Sequence, residues 1–83
     1  MVVEERLAAC ANILGTVHSI YRWAGTLHTA EEVAAIFKTT DEQSSALMTR
    51  ITSLHSYDVP CLVTWRVEKV LEAYANWVEE TVV

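Results

Sequence analysis

The stretch Val17-His18-Ser19-Ile20-Tyr21-Arg22-Trp23-Ala24-Gly25 decides the fold, because its side chains alternate with a period of two. β-Branched and aromatic residues are enriched in it, as is typical of strands. The pattern changes from helical to alternating at Ile13, so we predict a strand from there to Ala24 and Gly25. Residues 33–38 are the predicted antiparallel partner across a hairpin.

Helical periodicity flanks this hairpin. Val3, Leu7 and Cys10 share one helical face, which predicts a helix over residues 2–11, or the last part of one. Thr40 and Gln43 form a helix-start signature in which the hydroxyl accepts from the amide three residues on and the glutamine reaches back. An apolar stripe follows, made of Leu47, Met48, Ile51 and Leu54.

The remaining third of the chain predicts one more strand and one more helix. Residues 61–67 are apolar and follow Pro60, which indicates a third strand. Residues at helical spacing then predict the last helix: Val67, Val70, Leu71, Tyr74, Trp77 and Val78. The order helix, strand, strand, helix, strand, helix is that of an α+β fold with a split βαβ sheet and helices on one face.

Composition limits the class of protein. A length of 83 residues predicts a single domain over 1–83, with a core so small that a subunit interface is expected. A net charge of −5 disfavours nucleic acid and anionic membrane as partners. The N-terminal residues lack the basic region of a signal peptide, so we expect a cytoplasmic protein whose two cysteines are free.

Five segments resemble the CutA divalent-cation-tolerance family, in family order and over essentially the whole chain. They are a helix-to-strand signature at residues 3–13, Tyr-x-Trp-x-Gly within 19–25, Lys-Thr at 38–39, Leu-His-x-Tyr-Asp-Val-Pro at 54–60 and Tyr-x-x-Trp within 74–78. The resemblance implies a ferredoxin-like antiparallel sheet and a tight homotrimer with strands pairing between subunits. It also implies a role in tolerance of divalent metals, notably copper, a likeness to PII-type signalling proteins, and no catalytic activity.

The sequence departs from the family in three places. Met1 stands where the first helix is already under way, so the family's first strand, which is central to such a sheet, is expected to be lacking from these 83 residues. Either residues upstream of Met1 supply it, or a partner strand or a rearranged pairing takes its place. Cys61 replaces a usual Glu after Val-Pro. Val70 stands where a Gly commonly precedes the last helix, which predicts continuous helix there.

Three side chains are candidate metal ligands. Cys10 and His55 match family positions implicated in copper binding, and Cys61 is a possible third soft ligand; thiolate and imidazole suit copper or zinc. Alternatives remain open for each of them. Cys10 is also interpreted as a small core residue, which free cysteines commonly are, and His55 as a hydrogen-bonded helix end. Cys61 is also a candidate for packing or for a disulfide with Cys10.

Aromatic and charged residues suggest intersubunit surfaces. The aromatic residues Tyr21, Trp23, Tyr57, Trp65 and Trp77 suit an interface core, the alternative being the core of the protomer. Lys38 and Glu68, with Arg22 and Glu32, are candidates for a polar cleft that holds a small anion, the alternative being solvated strand ends.

These features predict a homotrimer that responds to divalent metal, copper above all, and binds metal or a small ligand at subunit interfaces. The alternative is a non-enzymatic structural or signalling trimer that acts as a scaffold for a protein partner. Catalysis is not expected, because a Cys10–His55 dyad needs an activated thiolate and an acidic chain supplies little positive charge for it.

Overall fold

The computed structural model describes residues 1–57 and 59–83; Asp58, part of the family-like segment at 54–60, lies outside them. The elements in chain order are β1 (Cys10–Trp23), β2 (Thr26–Lys38), α1 (Asp41–Leu54) and α2 (Glu72–Thr81). The predicted α+β class is therefore confirmed. The molecule is elongated, with extents of 46 × 25 × 20 Å, because the two strands form one long antiparallel ribbon.

A two-residue turn closes the ribbon at its far end. Trp23 pairs with Thr26, and the two turn residues are left-handed, with φ of 51° at Ala24 and 79° at Gly25. Left-handed φ at both positions is the type I′ geometry that matches the twist of a hairpin. The predicted strand ending at Ala24 and Gly25 is confirmed. Its partner is longer than predicted, because pairing continues back from Val33 to the turn.

A bulge near the base of the ribbon sets which side chains share a face. Ile13 pairs with Ala35 and Gly15 with Ala34, so Leu14 is the extra residue, and Gly15 has a φ of 100°. One inserted residue exchanges the two faces of a strand. Cys10 therefore lies on the same face as Tyr21 and Trp23, whereas His18 and Arg22 lie on the opposite face.

The helix predicted for residues 2–11 is wrong beyond its first turn. The Glu5 amide donates to the Met1 carbonyl at 3.0 Å, after which Arg6, with a φ of 62°, ends the turn. Leu7 N donates to Val2 O at 3.0 Å and Arg6 N to Val3 O at 3.1 Å, the bonds of a Schellman motif. The chain then enters β1, so the helical spacing of Cys10 is accidental.

The capped helix α1 is confirmed, since the Thr40 side chain accepts from Gln43 N at 3.3 Å. Two predictions beyond it are wrong. The last helix begins at Glu72, so Val67 and Val70 precede it. Residues 61–67 form no strand, because a ladder needs a neighbouring strand and the only sheet in the described part of the chain is the ribbon.

The core consists of two small clusters at the base of the ribbon. Val2, Ala8 and Leu47 form one, with Phe37 of β2 packed against it. The other joins Ala9 to two residues of α2, Val78 and Val82. The N-terminal turn and α1 thus pack on the Phe37 face, while α2 reaches the face of Cys10.

Ala24 is a position where a substitution should stabilise the ribbon. A left-handed alanine costs about 1 kcal/mol that asparagine largely avoids, so Ala24→Asn should raise the free energy of unfolding by up to that amount. Urea denaturation at one fixed protein concentration measures it. Ala35→Asn, at an exposed strand position, is the matched control and should destabilise the protein. No gain for Ala24→Asn would contradict the type I′ turn.

Candidate functional site

Four polar side chains meet at the base of the ribbon; we refer to Cys10, Asn12, Lys38 and Tyr74 as the Cys10 cluster. Cys10 and Lys38 are partners in the ladder. The Cys10 sulfur lies 3.8 Å from the Tyr74 hydroxyl and 3.8 Å from Asn12 Oδ1, and Lys38 Nζ donates to that same oxygen at 2.7 Å. The half-buried thiol is therefore held between the ribbon and α2.

Tyr74 is the member of the Cys10 cluster that is distant from Cys10 in the sequence and is brought to it by the packing of α2. Its hydrogen bond with Cys10 raises the pKa of the Tyr74 phenol, with burial and the negative charge of the thiolate as lesser causes. Sequence reasoning missed the roles of Tyr74 and Asn12. For Asn12 a signal existed, since positions two apart on a strand share a face. For Tyr74 there was none, because 64 positions separate it from Cys10.

His55, the second predicted ligand, ends α1. Its backbone amide donates to Ile51 O at 2.9 Å, its Nδ1 accepts from Tyr57 N at 3.0 Å, and its ring meets the Tyr57 ring edge-on at 4.7 Å. The hydrogen-bonded helix end is thus what the structure shows. Nε2 is the ring nitrogen left for a ligand. An apolar cavity of about 320 Å³ adjoins His55, lined also by Met1, Val2, Phe37, Ile51 and Leu54.

Cys61, the third predicted ligand, is an exposed free thiol, and Cys10 is free as well, so they form no disulfide. Within residues 1–57 and 59–83, no group of three or more His, Cys, Asp or Glu side chains is placed to hold a metal ion. A closed zinc site needs four ligands, and the Cys10 cluster offers one thiol beside an ammonium group. One protomer alone therefore does not fit such a site, and the ligand assignment stays a prediction.

The aromatic residues predicted for an interface are outside the protomer's core. Tyr21 and Trp23 are 43% and 58% exposed on the ribbon face of Cys10, and Tyr21 stacks on His28 with ring centroids 5.6 Å apart. Trp77 is exposed on α2 beside Tyr74, and Tyr57 and Trp65 are also exposed: Tyr57 49%, Trp65 69% and Trp77 43%. These side chains are available to a neighbouring molecule.

Two of the charged residues predicted for a polar cleft, Lys38 and Arg22, lie far apart on the ribbon. Lys38 belongs to the Cys10 cluster, whereas Arg22 pairs with Leu27 near the turn and on the opposite face. Glu68 is exposed in the segment before α2. The predicted cleft is therefore not assembled around Lys38 and Arg22 in the single chain.

The architecture and the sequence both match one family. The profile of the family described as CutA1 divalent ion tolerance protein matches residues 1–81. The chain belongs to the CutA family. A divalent-cation tolerance protein CutA from Thermotoga maritima is 42% identical over 81 residues, which are 98% of this chain and 79% of that protein. A CutA homologue from zebrafish, Danio rerio, is 34% identical, and the chain covers 55% of its length.

Solved CutA structures share the fold. The crystal structure of CutA from Xylella fastidiosa superposes with a TM-score of 0.95 at 34% identity, covering 99% of this chain and 79% of that one. A structure described as the PII-like protein CutA from Nostoc sp. PCC 7120 in apo form gives 0.92 at 33% identity, with 99% and 80% covered. The resemblance drawn from the five segments is confirmed for family and fold.

The contact between Tyr74 and Cys10 can be tested through the pKa of the Tyr74 phenol. Cys10→Ala removes the main cause of the raised pKa, so the pKa of Tyr74 should fall toward its ordinary value of 10.0. Carbon-13 NMR of the tyrosine ring carbons during an alkaline titration measures this. Since the folded pKa is the higher one, the contact's contribution to stability is present below the ordinary tyrosine pKa and lost as pH rises through the folded value.

Cys61→Ala is the matched control, because it deletes the other thiol and leaves Tyr74 untouched. An unchanged pKa of Tyr74 in Cys10→Ala would contradict the contact between the ribbon and α2.

Proposed function

We propose that this CutA-family chain acts in tolerance of divalent metal ions, copper above all, as a homotrimer that binds metal or a small ligand at subunit junctions. The observation that carries the proposal is the apolar surface of the ribbon. Its exposed large side chains are Ile13, Leu14, Val17, Ile20, Tyr21, Trp23, Leu27 and Val33. A surface of this kind on a small chain marks a protein–protein contact.

The strand edges support assembly for a second reason. An isolated two-stranded ribbon is marginally stable in water, and each of its outer edges presents unpaired backbone donors and acceptors. Residues 61–67 carry exposed Val63, Trp65 and Val67 and belong to no sheet within the protomer. Pairing this segment with a ribbon edge of another copy would satisfy the unpaired backbone groups of that edge and give residues 61–67 a strand neighbour. It would also restore the strand that the sequence predicts.

The metal-binding part of the proposal is supported by the chemistry of the candidate ligands, which an assembly of several copies of the chain can bring together. Cys10 and Cys61 supply thiols and His55 an imidazole nitrogen, ligands that suit copper and zinc. Because one protomer does not gather them, the proposed site draws its ligands from adjacent copies, with Lys38 and Glu68 near the junction. When bound, the metal would be held without further chemistry, so the proposed role is binding and not catalysis.

The two free cysteines also support a proposal about the cellular compartment of the protein. Both cysteines are free, which suits the reducing cytoplasm that we propose. The Archaeoglobus fulgidus relative is described as periplasmic, and that description concerns that protein. Neither helix in the part of the chain that the structure describes has the length and apolar character to cross a bilayer.

A second candidate function is a scaffold or signalling trimer that binds a protein partner. Two observations favour it. The side chains of the described residues gather no group of three metal ligands. A related structure is described as PII-like. In this function the exposed Trp77 and Tyr57 would contact the partner.

Light scattering after size exclusion tests the assembly. At micromolar concentration we expect about three times the chain mass of 9.3 kDa. Trp23→Ser should shift the protein toward smaller species, because it removes an exposed aromatic anchor from the ribbon. Val83→Ser, which removes an 89% exposed apolar residue outside the ribbon, is the control and should leave the mass unchanged. A compact wild-type monomer would remove the proposal.

Calorimetry with copper and zinc tests the metal ligands. Cys10→Ala and His55→Ala should each weaken binding at least about tenfold, and Cys61→Ala should weaken it if the third thiol is a ligand. His28→Ala is the control for loss of a histidine elsewhere. Unchanged affinity in both Cys10→Ala and His55→Ala would refute the site, and a stable trimer with no metal response would favour the scaffold.

A further inference from the structure

A histidine and a carboxylate face each other across the ribbon, away from the Cys10 cluster. His18 and Glu31 are direct partners in the ladder, and His18 Nδ1 lies 3.7 Å from Glu31 Oε1. Both side chains are largely exposed. They stand eight positions along β1 from Cys10, or roughly 25 Å of strand, and on the opposite face. The pair is therefore separate from Cys10, and within the residues that the structure describes no third His, Cys, Asp or Glu, His55 and Cys61 included, joins it to hold a metal ion.

The spacing of this pair matches that of two ligands on one metal ion. A tetrahedral zinc ion holds nitrogen and oxygen ligands at roughly 2.0–2.2 Å, which places the two donor atoms about 3.3–3.6 Å apart. The observed 3.7 Å needs only a small side-chain rotation to reach that distance. Residues directly opposite in an antiparallel pair have Cβ atoms about 5 Å apart, so the backbone already brings the two donors together.

We propose that His18 and Glu31 form a surface site for a divalent transition metal, in which water completes the coordination. Imidazole nitrogen suits zinc, copper and nickel, whereas magnesium prefers oxygen ligands in an octahedral arrangement. The site takes Zn²⁺ or Cu²⁺ and does not take Mg²⁺. Two protein ligands give weak binding, so the site responds to an excess of metal and does not retain a resident ion.

Binding at this pair has a structural consequence that follows from its position. One ligand belongs to β1 and the other to β2, so the bound ion links the two strands across the exposed half of the ribbon. Any ligand that binds the folded form alone stabilises it. The ribbon, which carries the apolar surface described above, becomes more rigid when metal is in excess.

The same ribbon provides matched controls. His28, its other histidine, faces Tyr21 and stacks on that ring, so no carboxylate lies opposite it. Glu32 neighbours Glu31 but faces Val17, on the other side of the ribbon. His28→Ala and Glu32→Gln therefore remove the same chemical groups from the same element without removing the pair.

The experiment uses the full chain with two readouts. Zinc calorimetry is run on His18→Ala, Glu31→Gln and both controls, in a Cys10→Ala/Cys61→Ala background so that neither thiol dominates the heat. We expect the first two variants to weaken zinc binding at least about tenfold and the controls to leave it unchanged. In NMR, substoichiometric Cu²⁺ should broaden the His18 ring signals in the wild type and in Cys10→Ala, and broaden them less in Glu31→Gln.

The outcomes separate this site from the proposed function. If Glu31→Gln binds zinc as the parent does, or if His28→Ala loses as much affinity as His18→Ala, the two-ligand site is overturned. In the NMR experiment, Cu²⁺ added in the presence of excess Mg²⁺ should still broaden the His18 signals most. Equal broadening of the ring signals of all the histidines would also overturn the site. The His18 signals report on this pair alone, so failure of the Cys10 and His55 assignment leaves the test valid.

Discussion

The structure depends on one constraint: a ribbon of two strands has two faces and two edges, and this chain covers only part of them. The base of the ribbon is covered by the N-terminal turn, α1 and α2, whose two clusters of buried residues hold three side chains each. Beyond the bulge at Leu14, both faces are exposed. Burial of apolar side chains, the main favourable term in folding, is therefore incomplete within one copy.

Polar contacts at the base join segments that are distant in the sequence. Arg50 binds Glu5 at 2.9 Å and lowers the pKa of that carboxyl, so α1 is joined to the N-terminal turn. Arg66 binds Asp41 at 2.9 Å and attaches the segment before α2 to the start of α1. Such exposed pairs contribute little stability each. They direct where the segments lie without replacing a core, and the exposed half of the ribbon has no comparable support from helices.

The elements that depend on neighbouring residues could be predicted from the sequence. The predictions failed where the structure of a segment depends on contacts with residues distant in the sequence or on an unusual backbone conformation. Period-two alternation located β1, and the Thr40 signature located α1, because both depend on neighbouring residues. The helix over 2–11 failed because Arg6 adopts a left-handed backbone that no side-chain pattern announces. Residues 61–67 have strand composition without a strand neighbour in the protomer. The Cys10 thiol was predicted through resemblance, whereas its contact with Tyr74 arises only when α2 packs against the ribbon.

The distribution of donors over the fold follows from the same constraint. Cys10 faces α2, His55 lies at the end of α1 near Phe37, and His18 with Glu31 points from the opposite face of the ribbon to that of Cys10. A ribbon separates its two faces completely, so donors on different faces of one copy cannot share a metal ion. In the proposed function a neighbouring copy brings them together, and the His18–Glu31 pair acts as a separate weak site. In the function proposed above, assembly and metal response are therefore linked by geometry, because the uncovered ribbon that favours assembly also keeps the donors of one copy apart.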